Sequence, residues 1–228
     1  MKTRPSIWLW KILTAMVYLV IFRVTILVIW GYRNYFPPNF DSDFLVGRES
    51  YFWHGYHWAF YTHLASGPVS LLMGTLLINK RFVQRFPRWH RRLGRVQAMN
   101  VLFLVVPSGL WMGLYAASGS IATVGFVMQA FITGFCVAAG WRDAVMRRFQ
   151  RHQRWMWRCY LLLCSAVVIR IFGGTASVFQ VQADWVFQLQ AWLSWVAPLA
   201  IYEFTRLVRA GKIPLWKHST EMAFLPDA

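Results

Sequence analysis

Apolar residues run along this chain in long blocks, and the polar and charged residues are gathered into the short stretches between them. A block of about 18 or more apolar residues, coiled as an α-helix, matches the thickness of the hydrocarbon core of a bilayer. The pattern predicts six such helices, near residues 8–30, 57–79, 96–115, 120–141, 157–175 and 185–205. The fold class expected is all-α: a single polytopic bundle over residues 1–205, followed by a short basic tail, 206–228. The N-terminal block begins like a signal peptide, but its apolar part is too long for one and no small-residue cleavage site follows. It is expected to stay as the first span.

Composition strengthens this picture. Of 228 residues, 57% are hydrophobic, 18% are aromatic and only 14% are charged. Soluble domains carry about a quarter charged residues, so no separate soluble domain is expected. The net charge of +16 would suit nucleic acid only on a basic face of a soluble fold. Here the positive charges lie between apolar blocks and follow topology instead. Lys2, Arg4 and Lys11 precede or begin span one. Lys80, Arg81, Arg85, Arg88, Arg91, Arg92 and Arg95 lie between spans two and three. Arg142, Arg147, Arg148, Arg151, Arg154 and Arg158 lie between spans four and five. Arg206, Arg209, Lys212 and Lys217 follow span six, which makes 20 of the 24 basic residues on one side. The positive-inside rule places that side, and both termini, in the cytoplasm. An even number of spans agrees.

The longest outer connection, residues 31–56, is rich in aromatics and is expected to lie at the interface. Pro37–Pro38 forbids a helix there. Its Asp41-Ser42-Asp43 reads as an Asx-type turn before a cation site. His54 and His57 fall in an aromatic belt with Trp53, Tyr56 and Trp58. Cys136, Cys159 and Cys164 fit neither a disulfide framework nor a metal motif.

Spans two and three make one hairpin and spans four and five another, each turning through a basic segment that carries His and Trp. The segments are "PRWHRRLGRV" (87–96) and "FQRHQRWMWRCY" (149–160). Repeated hairpins of like orientation predict a pseudo-twofold axis along the membrane normal. The simplest packing is a four-helix core of spans two to five, residues 57–175, flanked by spans one and six. Ser66, Ser70 and Gly74, and Gly109 with Gly113, form small-residue stripes along which helices approach closely. Pro107 is placed to kink span three.

Candidate chemistry comes from ionisable groups within spans. Counting 1.5 Å per residue puts Arg23, His63 and Arg170 about 7–11 Å below the outer boundary. They suggest an outward-facing pocket, with Asp184 as counter-ion and Gln180, Gln182 and Gln188 at the rim, suited to a small anionic ligand. His90 and His152 begin spans three and five at similar depth. Two imidazoles facing each other are an alternative site, for b-type haem. Arg91, Arg92, Arg95, Arg154 and Arg158 are expected to anchor the chain to the phosphates of anionic phospholipids, with Trp89, Trp155 and Trp157 at headgroup level. A structural or assembly role is the third alternative. No phosphate loop, HExxH or nucleophile elbow is present, so an enzyme is not expected.

The stretches "THLASGPVSLLMGTLLINKRFVQRFPRWHRRLGRV" and "HQRWMWRCYLLLCSAVVIRIFGG" resemble an uncharacterised bacterial family of predicted membrane proteins, domain of unknown function 2306. The resemblance rests on His63 with Gly67-Pro68, on His90, Arg91, Gly94 and Arg95, on His152 with Trp155, Met156 and Arg158, and on Arg170. It covers roughly residues 57–175. It implies a multi-spanning protein of a bacterial inner membrane and brings no established activity.

Overall fold

A computed structural model describes residues 5–42, 44–117, 119–181 and 183–211. The described residues are almost entirely helical and contain no named strand. Helix α1 is Pro5–Gly31 and α2 is His57–Leu77. A single turn, α3, Lys80–Arg85, leads into α4, Pro87–Asn100. Helix α4 continues through a wide turn, Val101–Val105, into α5, Val106–Leu114. Then come α6, Gly119–Val145; α7, Phe149–Leu163; α8, Ser165–Val178; and α9, Asp184–Arg209. Every apolar block therefore becomes a helix or a consecutive pair.

Four helical stretches are both long and apolar enough to cross a membrane: Lys11–Asn34, Pro87–Leu114, Gly119–Val145 and Phe149–Val178. Six spans were expected from the blocks; among the described residues these four meet both conditions. Helices α2 and α9 have 21 and 26 residues, enough length for about 30 Å of hydrocarbon. Their serines, histidines and glutamines make them more polar, and much of that polarity faces other helices.

Helices α2, α4–α5, α6 and α7–α8 follow one another around a closed ring. Helix α9 packs against α6, α7 and α8, whereas the described residues of α1 touch their neighbours lightly, mainly α2 and α8. Nearly all of α1 therefore keeps its apolar side chains uncovered by protein.

Small residues set the distance between α2 and α4–α5. Ser66 and Ser70 are buried, and Ser70 is fully so. Asn100 donates from Nδ2 to Ser70 Oγ at 2.7 Å and to the Ser66 carbonyl at 3.3 Å. Gln97 donates to the Ser70 carbonyl at 2.9 Å. Gly74 lies beneath Tyr160 of α7, whose hydroxyl meets Thr75 Oγ1 at 3.0 Å. In a bilayer such groups have no water to fall back on, so each bond counts as helix-to-helix glue.

Pro107 does mark an irregularity in the third span. It is the second residue of α5 and has no N–H to give to the preceding turn. The wide turn Val101–Val105 takes up the mismatch immediately before it. A second break, at Cys164 between α7 and α8, interrupts the fifth span, which was expected to be continuous. Gln129 of α6 braces it by donating to the Leu162 carbonyl at 3.1 Å and to Ser165 Oγ.

The connection between α1 and α2 folds over the start of α2 as an aromatic plug. Leu45, Phe52, Tyr56 and Phe60 are buried within it. Asn39 forms the Asx turn, its side chain accepting from Asp41 N at 2.9 Å. Asp43 and Gln182, like Lys2, Arg4, Lys212 and Lys217, lie outside the described residues. Gly55, with φ +106°, makes the bend from which α2 departs.

A Cβ at Gly74 would lie 3.1 Å from the Tyr160 ring. Gly74→Val is therefore expected to destabilise the bundle by about 1–3 kcal/mol through overpacking. Thermal unfolding of the purified protein in detergent measures this, with Gly31→Ala, where an added Cβ meets nothing within 4 Å, as a neutral control.

Candidate functional site

Two histidine sites emerge at different levels of the bundle. The first is His63. Its ring lies between Gly67, one turn further along α2, and Gly109 of α5. A Cβ at Gly109 would come within 3.4 Å of His63 Cε1. Ser108 donates its hydroxyl proton to the Leu104 carbonyl. Its oxygen is therefore placed to accept from His63 Nδ1, 3.1 Å away, and the Val105 backbone is a further hydrogen-bond partner of the ring.

The expected partners of His63 are not gathered around it. Arg23, Arg170 and Asp184 are all exposed. Among the described residues no hydrogen bond or ion pair joins any of them to His63. Arg170 was expected inside the four-helix core; it is instead exposed on α8, within electrostatic reach of the Tyr32 phenol just past the end of α1. The physical reason is rotation. Depth along a helix follows from counting residues, but Arg23 and Arg170 point away from α2. Gln180 is exposed at the end of α8.

The second site is at the opposite end of the bundle. His90 is the fourth residue of α4 and His152 the fourth residue of α7. Each closes the first turn of its helix: His90 N donates to the Phe86 carbonyl at 2.9 Å and His152 N to the Arg148 carbonyl at 3.0 Å. Neither helix start carries a side-chain cap. The echo in the sequence is thus an echo in structure. The two imidazoles are within electrostatic reach of each other, and Arg91 is within reach of His90.

Their hydrogen bonding differs in a telling way. His152 Nδ1 lies 2.8 Å from the Gly140 carbonyl of α6. A carbonyl only accepts, so Nδ1 carries the proton and Nε2 keeps its lone pair. That is how ligating histidines are commonly held, by a second-layer acceptor on the other nitrogen. His90 Nδ1 is buried and has no protein partner. A buried, unpaired polar atom is unusual and calls for water or a ligand.

Charged groups surround this end. Asp143 of α6 is buried and pairs with the exposed Arg151 at 3.3 Å. Glu203 of α9 accepts from Arg158 Nε at 2.6 Å and from Arg206 Nε at 2.9 Å. The Arg158 guanidinium also lies 4.4 Å from the centre of the Trp155 ring. Arg158, expected to anchor a lipid phosphate, is thus committed to a carboxylate inside the protein. It sits more than two turns into α7, past the helix start, where α9 brings Glu203 opposite it. Residue order alone does not reveal that encounter. Arg91, Arg92, Arg95 and Arg154 are exposed. Among the described residues no three His, Cys, Asp or Glu side chains gather as a metal site.

The model of the predicted membrane protein family DUF2306 matches residues 60–206. This chain belongs to that family. The DUF2306 region holds His63, His90, His152, Arg158, Glu203, Arg170 and Asp184, while Arg23 falls outside it. No curated protein and no solved structure matches the chain at a significant level.

The Arg158–Glu203 pair ties α7 to α9 from positions only partly exposed, 19% and 29% for the two side chains. Arg158→Gln and Glu203→Gln are each expected to destabilise the protein. A double-mutant cycle on thermal stability is expected to give a coupling of about 1 kcal/mol; strictly additive losses would mean that the pair contributes nothing.

Proposed function

We propose that this DUF2306 protein is a six-span inner-membrane protein, both termini cytoplasmic, whose paired imidazoles His90 and His152 ligate b-type haem. The supporting observation is the pairing itself. Two histidines recur at the fourth position of α4 and α7, within reach of each other, one with its Nδ1 fixed by a carbonyl and the other with a buried nitrogen unpaired.

The number of ligands favours haem over a bare metal ion. A transition metal held by protein alone needs three or four ligands, and only two are assembled here. Haem would ask the protein for two ligands, which His90 and His152 would supply. Arg91, beside His90, is suited to a propionate. When bound, haem supplies one-electron redox chemistry. The chain's own part is to hold the two imidazoles, to keep His152 in the Nδ1–H tautomer through Gly140, and to shield the pair from water at the bundle's end. The cavities lined by Arg85–Arg92 and by Ile26–Arg33 include neither imidazole, so admitting the macrocycle would require the first turns of α4 and α7 to move apart.

A second reading has its own observation. The bond from His152 to Gly140 already ties the start of α7 to α6, so the histidines serve as packing links in a structural protein. The outward pocket for an anionic ligand is not carried forward, because its arginines and Asp184 are exposed and apart from His63.

The absorbance spectrum separates the two readings. Purified protein, as isolated or after incubation with haemin, is expected to show a Soret band and an α band on reduction. His90→Ala and His152→Ala are each expected to abolish bis-imidazole binding, and His63→Ala to leave it intact. A wild-type protein that stays colourless and takes up no haemin excludes haem and leaves the packing role. For orientation, a C-terminal fluorescent protein is expected to fluoresce in cells and a C-terminal alkaline phosphatase to be inactive.

A further inference from the structure

The turn that links α2 to α4 contains an open cavity of about 410 Å³, lined by Arg85, Phe86, Pro87, Arg88, Trp89 and Arg92. We infer that it is a binding site for the phosphate group of an anionic phospholipid. Three guanidiniums converge on it. Arg88 and Arg92 are four residues apart and share one face of α4, while Arg85 ends α3 just before the turn. Two of them lie over the aromatic walls: Arg92 is 5.8 Å from the centre of the Trp89 ring, and Arg85 is 5.8 Å from that of Phe86.

These charges have no internal counter-ion. The sequence holds no Asp or Glu between Glu49 and Asp143. Among the described residues none of the three arginines forms an ion pair. Arg158 shows the contrast: where a carboxylate is near, the guanidinium takes it. The start of α4 adds to the positive field. Its first turn contains no acidic residue and receives no side-chain cap, so the positive end of the helix is left open to an anion.

Position selects the kind of anion. The groove lies in the basic first turns of α4, about one turn before the apolar run that begins near Val96. Phe86 is 44% exposed and Trp89 55% exposed, and such side chains prefer the headgroup level of a bilayer. A phosphodiester carried by two acyl chains meets both demands, charge in the groove and hydrocarbon along α4. The opposite face of the same helix carries His90, so the lipid site and the imidazole pair are separate features. The lipid site depends on membrane insertion alone, and a colourless protein would leave it standing.

The test uses the full-length protein in detergent and native mass spectrometry, with phosphatidylglycerol, phosphatidylcholine and inorganic phosphate as probes. Wild-type protein is expected to retain phosphatidylglycerol in preference to phosphatidylcholine. Arg88→Gln with Arg92→Gln is expected to weaken that binding by about 10–30-fold, from roughly one kcal/mol per basic residue at an anionic surface. Arg147→Gln with Arg148→Gln removes the same charge from the other basic turn and is expected to leave the preference intact. Should the double groove variant not fold, Arg85→Gln alone serves, with a smaller expected loss. Equal losses in groove and control variants would mean diffuse charge and overturn the site. So would the absence of any preference for phosphatidylglycerol. Inorganic phosphate competing as well as the lipid would also overturn it, since the groove would then be a free-anion site.

Discussion

The close approach of α2 to α4–α5 is the contact on which the rest of the bundle depends. Ser66, Ser70 and Gly74 leave room for it, Asn100 and Gln97 bond across it, and Gly109 opposes His63 within it. Helix association in a bilayer cannot draw on the hydrophobic effect between helices, because lipid is as apolar as the partner helix. Backbones that approach closely and bond through side chains supply the specificity instead. This seam fixes the azimuth of α4, and through α4 it fixes where His90 points.

The seam also explains why α2 is less apolar than its neighbours. A helix that buries two serines and a glycine, and partly buries a histidine, against other helices does not need a uniformly hydrophobic surface. Helix α1 is the opposite case. It has no polar seam, touches its neighbours lightly and keeps a nearly unbroken apolar surface for lipid. The two kinds of helix follow from one rule: polar groups in hydrocarbon must be satisfied by other protein groups.

The all-helical class, the order of the apolar helices and their approximate ends were legible in the sequence, because block length carries them directly; the number of spans was not, since only four of the six blocks are both long and apolar enough. The serine and glycine stripes of α2 and the disturbance at Pro107 were legible too, since both follow from side-chain size and a missing N–H. Rotation about each helix axis was not. Arg23, His63 and Arg170 were rightly read as ionisable groups within apolar blocks, yet only His63 turns inward. Arg158 was grouped with the surface arginines because it follows a basic run, and its partner Glu203 lies 45 residues away on another helix. The parallel placement of His90 and His152 was visible as a repeated motif. What sequence could not supply was the Gly140 carbonyl that sets the tautomer of one and the burial that leaves the other unpaired.

The central claim is that His90 and His152 face each other at one end of the bundle. Crosslinking tests it most directly. His90→Cys with His152→Cys, in a background where Cys136, Cys159 and Cys164 are serine, is treated in native membranes with a short bifunctional thiol reagent. The account predicts an efficient intramolecular crosslink, and none when Arg92→Cys on the far face of α4 replaces His90→Cys. An uncrosslinked His90→Cys/His152→Cys protein, with both thiols shown to be reactive, would contradict it.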